Sequence, residues 1–263
     1  MNRDFSEDEI RRYARHILLD EVGGAGQARL RAARVLIVGA GGLGTPLALY
    51  LAAAGIGSIG VADDDLVELS NLQRQIAHTT DRVGQAKTAS AAAAMRAINP
   101  LIRVVLHEQR VTPENARDVI ADYDIVCDGT DNFEARFALA DACHDLAKTL
   151  VSAAVLRFEG QLSTFKSGIS ASGEKLPCYR CLYPAPPPPG LVPSCAEAGV
   201  LGAVTGVMGT LQATEVMKEI LGIGETLAGR LLIWDALAMR FRVVRLVPDP
   251  HCPRCGSDRP AGE

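Results

Sequence analysis

The stretch RVLIVGAGGLGTPLALYLAAAGIGSIGVADDD, residues 34–65, decides the reading of the fold. Arg34–Val38 is a short apolar run of buried-strand type, stopped at once by glycine. Gly39, Gly41, Gly42 and Gly44 then spell G-x-G-x-x-G, and an alanine-rich helix runs on to about Ala54. Ser58–Ala62 reads as a second strand and ends on Asp63, Asp64 and Asp65. In such a βαβ unit the glycines permit a tight turn and let backbone N–H groups meet phosphate at the positive helix end. Asp63, 19 residues beyond Gly44, stands where an acid accepts hydrogen bonds from ribose hydroxyls. The unit therefore predicts a nucleotide site, the alternative being a glycine turn used only for close packing. The glycines alone do not choose between NAD and ATP.

Val35 to Ala62 carries no charge for 28 residues, but Gly39, Gly41, Gly42, Gly44, Gly55 and Gly57, with Pro46, interrupt it. The uninterrupted part is about 12 residues, roughly 18 Å as a helix, short of the ~30 Å hydrocarbon core. No membrane span is expected. The charged N-terminus has no apolar signal core, so the expected location is cytoplasmic. A net charge of −4 argues against nucleic acid as the main partner.

Outward from this unit, Ser6 and Glu9 form a capping box ahead of a helix with Ile10, Tyr13, Ile17 and Leu18 near one face. Downstream, helices are predicted over 83–98, 113–121 and 132–147, alternating with strands over 103–107, 124–128 and 150–154. That rhythm implies a Rossmann-type, mainly parallel α/β sheet with helices on both faces. After Gly160 it changes: GQLSTF, RLLIW and RFRVVRLV read as strands around a helix near 204–221, an antiparallel extension. The organisation expected is one domain over 1–263, with an N-terminal helical segment (1–33), a nucleotide-binding core (34–155) and an appended part (156–263).

Arg74 and Lys87 follow the acidic strand end closely. Hydride transfer needs no cationic clamp there, whereas nucleotidyl transfer needs cations to offset triphosphate and pyrophosphate charge. The alternative for each is a solvated surface charge. Asp131 follows the strand DIVCD at the carboxyl end of the sheet, where ligands bind. A carboxylate facing phosphates suits a magnesium ion between them; alternatively Asp131 caps the next helix.

VGAGGLGTP, the D-x-D-x-V-x-x-SNLQRQ run, VGQAK and DGTDN resemble the ThiF/MoeB/HesA family of adenylyltransferases, relatives of the ubiquitin-activating enzymes. The resemblance runs from RYAR at residues 12–15 to the last cysteine pair. It implies that Asp63 contacts the ATP ribose, that Asn71, Arg74 and Lys87 contact the phosphates, and that Asp131 holds magnesium. Asp65, Ser70, Gln75 and Asn132 are expected in the same site. Arg15 matches an arginine that reaches the ATP of a neighbouring subunit, which implies a homodimer.

Cys178-Pro-Tyr-Arg-Cys181 and Cys252-Pro-Arg-Cys255 are two C-x-x-C pairs. Four thiolates at this spacing predict a closed, structural zinc site. Redox chemistry is the alternative, but thioredoxin-type motifs work alone at a helix start, and these sit in proline-flanked turns. His251 is expected to be a bystander. Cys127 and Cys143 read as small buried hydrophobes.

Prolines crowd residues 184–193, ahead of Cys195. The segment reads as a stiff linker or a polyproline docking segment. The resemblance adds a crossover loop over the carrier's tail, with Cys195 matching a cysteine that takes part in thioester or sulfur-transfer chemistry in some relatives. It further implies adenylylation of the C-terminal carboxylate of a ubiquitin-like sulfur-carrier protein ending in Gly-Gly, for molybdopterin or thiamine biosynthesis. A separate sulfur donor is expected. The rivals are an NAD-dependent oxidoreductase and a non-catalytic scaffold for ubiquitin-like proteins.

Overall fold

Strand β1 (Arg34–Val38) sends alternate side chains into two different cores, which places helices on both faces of its sheet. Val35 and Ile37 join a cluster with Leu47, Leu51, Met95 and Met208, whereas Leu36 and Val38 join Ile120, Phe137 and Leu139. The computed structural model describes residues 5–169, 175–188, 191 and 198–257. Around β1 lie α1 (Glu7–Ile17), α2 (Gly23–Ala32), α3 (Gly44–Ala54), β2 (Ser58–Ala62), α4 (Lys87–Ile98), β3 (Arg103–His107), α5 (Ala116–Ile120) and β4 (Ile125–Asp128). They are followed by α6 (Phe133–Asp145), β5 (Thr149–Leu156), β6 (Glu159–Phe165), α7 (Tyr179–Leu182), α8 (Gly202–Leu221), β7 (Arg230–Asp235) and β8 (Arg240–Arg245).

The eight strands form one sheet in the order β3-β2-β1-β4-β5-β6-β7-β8. The first five are parallel and β6, β7 and β8 pair antiparallel, as the change of rhythm after Gly160 predicts. Chain order reverses between β1 and β4, so the loops at their carboxyl ends flank the crevice where ligands of such sheets bind. Helix α8 packs on α3, β5 and β6 and so ties the antiparallel extension to the parallel half.

The capping box is formed: Glu9 N–H donates to Ser6 Oγ at 3.2 Å, and Ser6 N–H donates to Glu9 Oε2 at 2.8 Å. Of the apolar residues on that helix only Tyr13 is buried, while Ile10 and Leu18 are exposed. Helix α4 starts at Lys87, not at Val83. Gly84 has φ +87° and its N–H donates to Val67, and Lys87 N–H donates to Asp65, so residues 83–86 turn back onto 65–67 instead of winding on. Likewise α5 begins at Ala116 because a turn occupies 113–115. Asn132, not Asp131, caps α6, accepting from Ala135 N–H at 2.9 Å. Among the described residues no helix is long and apolar enough to cross a membrane.

Candidate functional site

The loop between β1 and α3 is held by its peptide groups. Gly39 has φ +94°, and a Cβ there would lie 2.8 Å from the carbonyl oxygen of Gly129, on the loop after β4. A Cβ on Gly44 would overlap the carbonyl of Gly39. Gly41 differs: nothing lies nearer than 3.7 Å to a Cβ placed on it, and its φ is not left-handed. The fold itself does not require glycine at 41, so the space over it is open to a group that approaches the loop from outside.

Asp63 lies at the end of β2 and takes Ala40 N–H on Oδ2 at 2.7 Å and Asp65 N–H on Oδ1 at 2.9 Å. Burial pushes its carboxyl above the usual range, and the charge of Lys87 pulls it back. Lys87 is the first residue of α4 and only 8% of its side chain is exposed; its Nζ lies 2.7 Å from Asp65 Oδ2. The surface-charge alternative for Lys87 therefore fails. Helix dipoles disfavour a cation at this end, and the clustered carboxylates of Asp63, Asp64 and Asp65 stand beside it.

The short 3₁₀ turn Leu69–Asn71 sets the next residues. Asn71 is buried and accepts from Glu68 N–H at 3.3 Å, and Arg74 donates to the carbonyl of Ser70 at 3.1 Å. Ser70 Oγ donates to Glu68 at 3.1 Å. Gln75 is 3% exposed, its Nε2 faces Gly41, and its Oε1 has no partner. A buried amide oxygen without a donor is costly, and it lies beside the open space over Gly41.

Asp131 and Asn132 follow Gly129, which abuts Gly39, so the magnesium candidate stands on the loop facing the glycine turn. Asp131 is exposed and makes no hydrogen bond or ion pair among the described residues. Asp131, three positions after the strand, is held indirectly through Thr130. Asp128 is fully buried, receives Thr130 N–H and Oγ1 on one oxygen and Ser152 Oγ on the other, and pairs with Arg136 at 3.1 Å. Arg136 donates in turn to the carbonyl of Thr130, and Gln212 of α8 donates to the carbonyls of Asp128 and Val151.

Arg15 is exposed on α1. The neighbouring Tyr13 packs on Gly55 and accepts from Asn99, at the carboxyl ends of α3 and α4. The glycine turn is at the other end of α3, whose 11 residues span roughly 16 Å. Arg15 therefore stands at the opposite end of the sheet from its own chain's glycine turn.

Cys178, Cys181, Cys252 and Cys255 come together, with sulfur separations of 3.9, 3.4 and 3.4 Å along the linked pairs. Thiolates about 2.3 Å from a tetrahedral centre lie about 3.8 Å apart, so the cluster can hold a metal ion. Cys178 is the N-cap of the four-residue α7, so a helix turn does start at this pair, contrary to the expectation of turns alone. The second pair within 4 Å, and not an isolated helix start, is what argues against single-motif redox work. His251 is outside the cluster. Cys127 and Cys143 are buried in β4 and α6, and burial pushes both thiols up. Cys195 and most of the residues around it lie outside the described residues.

Four polar residues of this region escape sequence reasoning: His78, Asp128, Arg136 and Gln212. Asp128 sits within DGTDN but has no visible task there, and no motif singles out Arg136. His78 carries no motif, yet its Nε2 lies 3.0 Å from the carbonyl of Ala40.

Residues 13–254 match the model of the ThiF family. The sulfur carrier protein adenylyltransferase of Thermus thermophilus is 48% identical over 97% of this chain and 93% of its own length. The SAMP-activating enzyme E1 of Haloferax volcanii is 48% identical over 97% of this chain and 92% of its own. The adenylyltransferase and sulfurtransferase MOCS3 of Bos taurus is 52% identical over 97% of this chain, which spans 55% of that protein. Among solved structures, E. coli MccB shares the fold, with a TM-score of 0.81 over 95% of this chain and 76% of its own at 22% identity. A family model that covers nearly the whole chain, together with relatives near half identity, assigns it: the chain belongs to the ThiF family.

Proposed function

We propose that this protein is an adenylyltransferase that uses ATP to activate the C-terminal glycine carboxylate of a small ubiquitin-like sulfur-carrier protein, releasing pyrophosphate. Molybdopterin or thiamine biosynthesis is the setting, and the cytoplasm the location. The single observation that carries the nucleotidyl reading is Lys87, a buried cation at a helix start beside the glycine turn. A polyanion at that spot relieves its conflict with the helix dipole. The names of the relatives, which span most of this chain's length, support the carrier as substrate.

The carrier carboxylate attacks the α-phosphorus of ATP, forming acyl-adenylate as pyrophosphate leaves, and the adenylate is then open to a sulfur donor. Gly41 and Gly42 N–H groups, Asn71, Arg74 and Lys87 hold the phosphates, with Ser70 and Gln75 supporting them. Asp63 and Asp65 face the ribose side. Asp131, beside Asn132, would hold magnesium, which would supply charge neutralisation at the phosphates. No protein nucleophile is needed, so catalysis is positioning and charge offset. Cys195 belongs to the later sulfur step. Cys178, Cys181, Cys252 and Cys255 would hold a zinc ion, which with four thiolates would serve a structural role. The test is ATP–pyrophosphate exchange against a panel of small proteins ending in Gly-Gly, with mass spectrometry of the adenylated tail. Exchange with none of them would overturn the reading.

Gly41→Ala should fold with a melting point close to wild type and bind ATP more weakly by about tenfold or more, because the methyl meets the ligand and not the protein. Titration calorimetry and thermal melts check both halves.

Arg15 acts in trans within a homodimer, as its distance from its own glycine turn supports. Arg15→Ala and Lys87→Ala should each be nearly inactive alone. Mixed in equal amounts and re-equilibrated, they should regain roughly a quarter of wild-type exchange, since half of the two-fold dimers then carry one intact site. Absence of recovery would place Arg15 outside the site.

A further inference from the structure

We propose that His78 is a positioning residue that fixes which way the Ala40–Gly41 peptide faces, and thereby aims the Gly41 N–H at phosphate. This rests on the nucleotide reading above. His78 lies between the turn carrying Arg74 and the start of α4, and is 5% exposed. Its ring is held at both nitrogens: Nε2 lies 3.0 Å from the carbonyl oxygen of Ala40, and Nδ1 lies 2.9 Å from Ser90 Oγ. A carbonyl can only accept, so Nε2 carries the proton, and Nδ1 accepts from the serine hydroxyl. Burial pushes the imidazole pKa below its usual value, the Ala40 contact pulls it back, and the charges of Lys87 and Arg82 add to the lowering.

A trans peptide is planar, with its C=O and N–H pointing in opposite directions. Holding the Ala40 carbonyl on His78 therefore turns the Gly41 N–H the other way. The flanking peptides are held as firmly. Ala40 N–H goes to Asp63 at 2.7 Å, and the Gly41 carbonyl accepts from Thr45 N–H at 3.0 Å and Thr45 Oγ1 at 2.8 Å. The last contact turns the Gly42 N–H away from α3 by the same rule. Neither the Gly41 nor the Gly42 N–H makes a hydrogen bond among the described residues.

The need for such a clamp comes from glycine itself. Gly41 leaves room for phosphate, but a glycine after Ala40 also lets the shared peptide rotate at little steric cost. Rotated by half a turn, it would present a carbonyl oxygen to the phosphates. His78 removes that alternative by giving the carbonyl a buried donor on the other side, so the loop is preorganised before ligand arrives. Nothing in G-x-G-x-x-G contains this device, because its donor comes from 34 residues beyond Gly44.

The experiment compares ATP and adenosine binding, each in excess Mg²⁺, by titration calorimetry on the wild type, His78→Phe and His78→Gln. Phenylalanine fills the space without a donor, and glutamine can donate to Ala40 while accepting from Ser90. Phe is expected to weaken ATP by about tenfold and leave adenosine unchanged, and Gln to recover most of the loss. Adenosine lost in parallel, or ATP unchanged in the Phe variant, would overturn the proposal. If Phe does not fold, ¹⁵N spectra of the wild-type imidazole decide: a neutral ring protonated at Nε2 supports the clamp, and a proton at Nδ1 overturns it. Wild type that binds neither ligand would overturn the nucleotide reading itself, whereas normal wild-type binding with a silent Phe variant removes only the role of His78.

Discussion

Replacing Lys87 with alanine should lower ATP–pyrophosphate exchange by about 10²–10³, the usual cost of removing one preorganised electrostatic contact, while the protein stays folded. The side chain is buried at the start of α4 and touches the acidic end of β2, so no water-exposed substitute can take its place. Its loss acts twice. Charge that develops on the leaving pyrophosphate goes uncompensated, and Asp63 loses the cation that holds its carboxyl down against burial. Without Lys87 that carboxyl rises further, and a protonated Asp63 no longer accepts from both the Ala40 and Asp65 N–H groups. The acidic limb of the residual activity should therefore move to higher pH in Lys87→Ala than in wild type. Arg74→Ala should show the rate loss without this shift, because Arg74 is not among the groups that act on Asp63. Near-normal exchange in either variant would remove that residue from the phosphate site. A tighter response to NAD than to Mg-ATP in thermal shifts would favour the oxidoreductase rival.

The second large effect concerns the four cysteines. Purified protein should carry one zinc per chain, and Cys252→Ser should lose it, together with a drop in melting temperature on the order of 10 °C. Cys252 is fully buried, and its sulfur also receives Arg254 N–H, while Asp249 N–H points at Cys181. Backbone donors of this kind hold thiolates in place around a metal. Arg180 and Arg254, one within each cysteine pair, both reach Asp141 on α6, so these ion pairs join the cysteine cluster to the nucleotide-binding half. Nucleotide affinity in the metal-free variant should change far less than stability. Metal analysis returning no ion, or a disulfide within each pair, would replace the zinc reading with a redox one.

Much of this was legible because it is local. The strand, glycine turn and helix of 34–54 are set by neighbouring residues, and each cysteine pair closes its own turn. The start of α4 was not legible, since the bonds that turn residues 83–86 aside come from Asp65 and Val67. The burial of Lys87 likewise depends on the fold, and its sequence neighbours Gln85 and Ala86 give no hint of it. Arg136 has the spacing of an exposed helix residue. Its partners Asp128 and the carbonyl of Ala153 arrive from two strands. The position of Arg15, at the far end of α3 from the site it was matched to, follows only from where Tyr13 docks.

The two cysteine pairs have a consequence for how the chain comes off the ribosome. Cys178 and Cys181 emerge some 70 residues before Cys252, which at about 5–20 residues per second is a wait on the order of 4–14 s. During it, α8, β7 and β8 are made, and only then does the second pair close the ring of sulfurs. An ion held by all four sulfurs would therefore be captured late in biosynthesis, after the rest of the sheet is made, and chains denied it would keep an untied C-terminal segment.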